Sequence, residues 1–134
     1  MSTPTYLPAL GRLLIALIFI LSGLSKIAAP ANTIAYIQSA GAPLAPAAFA
    51  VAVIVEVIGG LALLVGFQTR LTAAGLAIFT LAAAILFHNN MADQNQMIHF
   101  LKNVAITGGL LQVVAFGAGA FSLDNRHKRV SIAA

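Results

Sequence analysis

Residues 45–67, APAAFAVAVIVEVIGGLALLVGF, form an apolar stretch with one charged side chain, Glu56, near its middle. At a rise of ~1.5 Å per residue, a helix of this length crosses a hydrocarbon core of ~30 Å. Three similar stretches, residues 7–29, 70–89 and 97–121, account for most of the remaining chain of 134 residues. The sequence therefore predicts an all-α integral membrane protein, a single domain over residues 1–134 built as a four-helix transmembrane bundle.

The composition supports a membrane protein and excludes several kinds of chemistry. Hydrophobic residues make up 60% of the chain and charged residues 7%, whereas about a quarter of the residues in a soluble domain are charged. The chain has no cysteine, which excludes a CxxC redox pair, thiolate ligation of zinc or iron-sulfur clusters, and covalent c-type haem. Any electron chemistry would therefore use a bound carrier or a partner protein.

The basic residues predict the orientation in the membrane. With four spans, the two termini and the second loop share one side, which carries Arg12, Arg70, Arg126, Lys128 and Arg129, against two lysines opposite. The positive-inside rule then places both termini in the cytoplasm. We expect Arg12 to snorkel to that surface and the run 125–129 to hold a helix end at anionic headgroups. Nucleic-acid binding is not supported.

The connections predict how the spans are arranged. Proline and glycine break the chain between the first two spans, and residues 32–39 there can form a short interfacial helix on the non-cytoplasmic face. The link of residues 66–70 is so short that the second and third spans must be antiparallel neighbours. Residues 12–31 also resemble a signal peptide, but their apolar character runs on to Ile27, which favours a retained helix. Beyond Gly119 we expect the chain to fray.

Polar side chains collect in the half of the membrane opposite the termini. They are Ser22, Ser25 and Lys26 in the first span, His88 and Asn89 at the end of the third, and His99, Lys102 and Asn103 in the fourth. The three from the first span follow i, i+3, i+4 spacing and share one helix face. Glu56 lies near mid-depth of the second span.

A charged group deep in a span costs roughly 2.5–3.5 kcal/mol on insertion scales, so these groups should turn inward and meet. The expected arrangement is Glu56 facing Lys102 or Lys26, with Asn103 and His99 completing its hydrogen bonds. Such a cluster would form a small polar cavity in an apolar scaffold. That cavity would suit a ligand with an apolar ring and polar carbonyls.

Five short segments together resemble the DoxX family of small bacterial membrane proteins, over roughly residues 10–124. They are SGLSK at 22–26, EVIGGL at 56–61, FHN at 87–89, HFLKN at 99–103 and FSLD at 121–124. The resemblance implies a four-helix protein of the bacterial cytoplasmic (inner) membrane. Relatives include a subunit linked with thiosulfate:quinone oxidoreductase and members linked with oxidative stress and quinone detoxification.

The leading hypothesis is a membrane component of a redox or quinone-linked system that binds a quinone-like or other small hydrophobic ligand. Its candidate catalytic residues are Glu56, as the proton-exchanging group, and His99. The candidate ligand-binding residues are Lys26, Ser22, His88, Asn89, Lys102 and Asn103. A redox partner protein would carry the electrons, because no redox centre is recognised in the chain, and self-association into a homo-oligomer is a further expectation.

Other interpretations of the same residues stay open. Glu56 can instead belong to a buried ion pair that only sets helix register, as in a scaffolding subunit that recruits a redox partner. A small-metabolite carrier, in which the pair opens during transport, is a third function. His88 and His99 can be interfacial hydrogen-bonding groups, a proton entry route, or ligands of a metal or haem together with Asp93.

Overall fold

The computed structural model describes residues 4–133, without the side chains of residues 128–130 and 132–133. This part of the chain contains only helices and their connections. The helices are α1 Leu7–Ala28, α2 Pro30–Ser39, α3 Ala45–Val65, α4 Thr69–Phe87, α5 Gln94–Phe116 and α6 Leu123–Ala133. Four of them, α1, α3, α4 and α5, are long and apolar enough to cross a membrane. The predicted fold class is therefore confirmed.

The four long helices form a closed ring of antiparallel neighbours. Helix α1 packs against α3 and α5, and α4 packs against the same two helices from the opposite side. We call the end that holds the short α3–α4 connection the turn side, and the opposite end the far side. The buried apolar core lies toward the turn side and consists of Ala16, Phe19, Leu63, Ala73, Leu76, Ala77 and Leu110. The far half of the bundle is therefore left for the polar residues.

The predicted end of the fourth span and the expected fraying after it need correction, and one minor helix is confirmed. The fourth span ends at Phe116, not near residue 121, because Gly117 and Gly119 adopt φ values of 81° and 79° that a continuing helix cannot use. The expected fraying beyond Gly119 is wrong, since residues 123–133 form α6. The short helix between the first two spans is present as α2. The side chains of Lys128 and Arg129, used to predict orientation, lie outside the described residues.

Helix α3 contains a π-helical segment, Val55–Gly59, with Glu56 inside it. A π turn holds one more residue than an α turn and is frequent at functional sites. Around it the buried positions Ala52, Glu56 and Gly60 follow each other at intervals of four residues. Glu56 therefore lies on the side of α3 that faces the bundle interior.

Glycines bring α1 and α3 into close contact at this segment. A Cβ atom on Gly23 would lie 2.6 Å from Val57 Cγ2, and one on Gly60 would lie 2.8 Å from Ile20 Cγ1. Close approach through small residues is how membrane helices gain packing energy, because lipid provides no hydrophobic contrast. The close glycine contacts between α1 and α3 therefore lie at or beside the π segment.

Gly23→Ala is expected to lower the stability of the bundle by about 1–3 kcal/mol, the usual effect of overpacking. The added methyl group must displace Val57 or push α1 away from α3. Thermal unfolding of the purified protein in detergent measures the change. Gly75→Ala is the matched control, because Gly75 is exposed and has nothing within 4 Å of its added Cβ. Equal melting temperatures for the two variants would contradict this account of the contact.

Arg12 is buried on the turn side, and the expectation that it snorkels to the surface is wrong. Its side chain is 1% exposed. Nη1 donates hydrogen bonds to the carbonyls of Leu63, at 2.9 Å, and Leu64, at 3.0 Å, and Nη2 donates to the carbonyl of Phe121. The last carbonyls of a helix lack partners within that helix and carry partial negative charge. Arg12 of α1 therefore caps the carboxyl end of α3.

Asp124 caps the beginning of the next helix in the complementary way. Its two carboxylate oxygens accept hydrogen bonds from the backbone N–H groups of Gln68 and Thr69, both at 2.8 Å. A negative charge is favourable at the amino end of a helix, here α4. Between the two caps, Gly66 has φ 70°, and a Cβ there would lie 2.5 Å from Ser122 Cβ. An arginine and an aspartate from distant helices thus fix the tight turn between α3 and α4.

Candidate functional site

Glu56 and Lys26 form an ion pair between α3 and α1 in the far half of the bundle. Lys26 Nζ lies 2.8 Å from Glu56 Oε2 and 3.0 Å from Oε1. Ser22, one turn earlier on α1, donates to Glu56 Oε1 at 3.3 Å and accepts from Lys26 Nζ at 2.8 Å. Glu56 is only 6% exposed, so its carboxylate interacts with these two groups and little water. The prediction that the acid meets Lys26 is confirmed.

Other predicted partners of the acid lie elsewhere. Lys102 is exposed on the outside of α5 and makes no ion pair among residues 4–133, so the expectation that it turns inward is wrong. Hydrogen bonds from His99 and Asn103 to Glu56 are also absent from this part of the chain. The physical reason is that α5 packs mainly on α4, while the carboxylate is already satisfied from α1. Asn89 is exposed beyond the end of α4.

A cavity of about 400 Å³ adjoins the ion pair on the far side. We call it the large cavity. Its wall is mostly apolar, with Ser22, Lys26, Glu56, Asn103 and His88 as polar members. Helix α2 covers one side with Thr33, Tyr36 and Ile37, and α4 contributes Phe79 and Phe87. Its volume falls within the range of about 300–1,000 Å³ typical of small-molecule sites.

A second, smaller cavity of about 140 Å³ lies on the core side of the pair. Residues Ser22, Glu56, Phe79, Ala83 and Asn103 line both cavities. The side chains of Glu56 and Asn103 therefore lie between a space toward the far surface and a space toward the apolar core. The Asn103 amide makes no hydrogen bond to the described residues, which leaves its donor and acceptor groups free for a ligand.

The mouth of the large cavity is formed by an aromatic contact. The rings of Tyr36, on α2, and Phe87, at the end of α4, stack with centroids 5.5 Å apart and planes 22° apart. The sequence predicts only an interfacial helix over residues 32–39, so the cavity role of α2 was missed. Its amphipathic sequence could not reveal it, because headgroups and a cavity mouth favour the same side chains.

His88, at the end of α4, and His99, in α5, lie against each other. The rings of His88 and His99 stack with centroids 5.0 Å apart, and His88 Nδ1 lies 3.0 Å from Gln96 Oε1, where an imidazole N–H donates to the amide oxygen. His88 lines the large cavity, whereas His99 does not. Residues 4–133 contain no group of three or more His, Asp or Glu side chains able to hold a metal. The His88–Gln96 contact fits the hydrogen-bonding interpretation for His88, and the role of His99 and proton entry stay predictions.

Comparison with known proteins agrees with this architecture. Residues 7–89, which contain α1 to α4 and both partners of the ion pair, match the family model of DoxX. Inner membrane protein YqjF of Escherichia coli K12 is 41% identical over 115 residues, covering 84% of this chain and 85% of that protein. Inner membrane protein YphA of the same organism is 36% identical over 122 residues, covering 87% of each. No solved structure matches the chain. The chain is a membrane protein that belongs to the DoxX family.

Proposed function

We propose that this protein is the membrane component of a redox or quinone-linked system and binds a quinone-like or other small hydrophobic ligand in the large cavity. The observation that carries the proposal is a buried acid, Glu56, in the wall of a mostly apolar cavity at membrane depth. Acids at this depth are unfavourable and are retained mainly where they serve a ligand or a proton path. An apolar ring would lie between Phe79 and the Tyr36–Phe87 pair.

The polar residues fit the chemistry of a quinone. Reduction of a quinone to a quinol takes up two electrons and two protons. The Asn103 amide and the Lys26 ammonium can donate hydrogen bonds to a carbonyl or to a reduced oxygen, and Glu56 can pass a proton to that oxygen. His88 reaches the same cavity from the far surface and would return protons to the acid. The electrons would come from a redox partner protein.

A scaffolding subunit is the second candidate function, and the ion pair itself favours it. Lys26, Glu56 and Ser22 satisfy one another at distances of 2.8–3.3 Å, as expected of a pair that only fixes the register of α1 against α3. In that case the cavity would be incidental, and the protein would act by recruiting its partner. A small-metabolite carrier would require this closed pair to open in each cycle.

The membrane and orientation are part of the proposal. Both Escherichia coli relatives are named inner membrane proteins, which supports the bacterial cytoplasmic membrane. The turn side carries Arg12, Arg70 and Arg126, whereas the far side carries Lys26 and Lys102, which supports cytoplasmic termini.

Extraction of the purified protein with organic solvent, followed by mass spectrometry, tests for the ligand. We expect a quinone to be retained in about stoichiometric amount, because the cavity encloses the ring. Asn103→Leu removes the free amide without touching the ion pair and should lower the retained amount severalfold. Lys102→Met, altered outside both cavities, is the control. A preparation that folds, carries no quinone and shows no thermal stabilisation by an added short-chain benzoquinone would contradict the proposal.

A further inference from the structure

A cavity larger than the one beside Glu56 lies at the opposite end of the bundle. It is an open groove of about 570 Å³ on the turn side, between the α3–α4 connection and the α5–α6 connection. We call it the turn-side groove. Helices α3, α4 and α5 all begin or end here, so the groove lies at the height where a spanning bundle meets the lipid headgroups. It is separate from the proposed quinone site.

Two basic side chains flank the groove without an acidic partner of their own. Arg70 and His127 line it, and neither makes an ion pair or hydrogen bond to the described residues. The Arg70 guanidinium lies against Gly117, where a Cβ atom would be 3.3 Å from Nε. The groove also contains Asp124, but both of its carboxylate oxygens accept backbone hydrogen bonds at the start of α4. The groove therefore presents two basic side chains to an approaching anion, beside one carboxylate whose oxygens already accept hydrogen bonds.

The floor and rim add two further observations. Thr69 lines the groove and is 1% exposed, and its hydroxyl has no hydrogen-bond partner within residues 4–133. A buried polar group left unpaired is unfavourable, and a ligand oxygen would relieve it. On the membrane side the rim consists of Phe67, Leu71 and Phe116, which are 47%, 71% and 80% exposed. The turn-side groove therefore combines an apolar rim with basic side chains on its flank.

We propose that the turn-side groove is a binding site for an anionic phospholipid, with the phosphate held by Arg70 and His127 and the acyl chains lying along the apolar rim. Basic pockets between membrane helices recognise anionic headgroups in this way. A guanidinium donates two parallel hydrogen bonds to phosphate, and the imidazole adds a third donor. A free phosphate ion would use the basic flank but gain nothing from the exposed phenylalanines and leucine.

The test compares lipids that differ only in the headgroup. Native mass spectrometry of the full chain in mild detergent would measure binding of phosphatidylglycerol and of phosphatidylcholine with the same acyl chains. We expect phosphatidylglycerol to bind more tightly, and Arg70→Gln to weaken its binding about fivefold, the effect of one basic residue near an anionic surface. Arg70→Gln with His127→Gln should weaken it further. Both side chains are exposed, so these variants should fold.

Arg126→Gln is the matched control, because it removes the same charge from an exposed residue that does not line the groove. Its phosphatidylglycerol affinity should stay within about twofold of the unaltered protein. Equal losses from Arg126→Gln and Arg70→Gln would show diffuse surface attraction and overturn the site. Equal binding of the two lipids would overturn it as well. If millimolar inorganic phosphate displaced phosphatidylglycerol from the unaltered protein and this effect were lost in Arg70→Gln, the groove would be a site for a free anion. A change of oligomeric state in Arg70→Gln would reassign it to a second copy.

Discussion

Arg12→Met is expected to destabilise the folded bundle by about 3–5 kcal/mol, the usual effect of removing one member of a buried charged network. Methionine keeps most of the aliphatic volume, so the loss comes from hydrogen bonds. The carbonyls of Leu63, Leu64 and Phe121 lose their common donor. The nearby Asp124 carboxylate also loses the cation with which it interacts.

The effect should exceed that of an ordinary core substitution because three parts of the chain depend on this guanidinium. It joins α1 to the end of α3 and to the segment before α6, and the Gly66 turn packs directly against its Nη1, which would lie 2.6 Å from an added Cβ. Loss of the cap should loosen the α3–α4 turn. That turn also forms one edge of the turn-side groove.

Thermal unfolding in detergent and the yield of protein in the membrane fraction would measure this effect. Arg12→Lys should recover only part of the stability, because an ammonium is a compact donor that cannot reach three carbonyls in the fork geometry of a guanidinium. Arg126→Met, altered at an exposed position, should unfold at nearly the original temperature. If Arg12→Met were as stable as Arg126→Met, Arg12 would have no structural role.

The spans could be predicted from the sequence because lipid imposes the length and apolar character of a crossing helix. Local detail of the backbone could not be predicted in this way. No propensity marks Val55–Gly59 as a π segment, since its residues suit an α-helix equally well. The glycines at 117 and 119 stand in the sequence, but the cap that Asp124 of α6 forms at the start of α4 is a contact distant in sequence.

The candidate site was predicted in part. A lone acid in an apolar span needs a cation, and Lys26 lies within reach on the neighbouring helix. Lys102 lies on α5, whose exposed and buried sides cannot be distinguished without knowing how the helices pack. The sequence contained a signal for the burial of Arg12. Arg12 precedes Lys26 by two heptads and shares its helix face. Once Lys26 faces the interior, Arg12 must do so too.

The combined variant Lys26→Met with Glu56→Met is expected to fold nearly as well as the unaltered protein and yet lose quinone-linked turnover by about 100-fold or more. Replacing a buried ion pair by apolar residues of similar size is often neutral or stabilising. Removal of a proton-exchanging acid, by contrast, lowers a reaction that depends on it by ~10²–10⁴-fold. The combined variant thus separates the effect of the ion pair on stability from its effect on turnover.

Single variants test whether the ion pair between Lys26 and Glu56 contributes to stability. Lys26→Met alone leaves the Glu56 carboxylate buried with only Ser22 to bind it, and should lower stability by about 3–5 kcal/mol. Lys102→Met removes a lysine that has no acidic partner in the described residues, and should change neither stability nor turnover.

Turnover would be assayed in native membranes, which would contain the proposed redox partner, and retained quinone would be measured on the same preparations. A combined variant that is stable and fully active would show that turnover does not depend on the Lys26–Glu56 pair. The scaffolding function would then replace the quinone site, because an acid that can become methionine without effect on turnover carries no proton to the ligand.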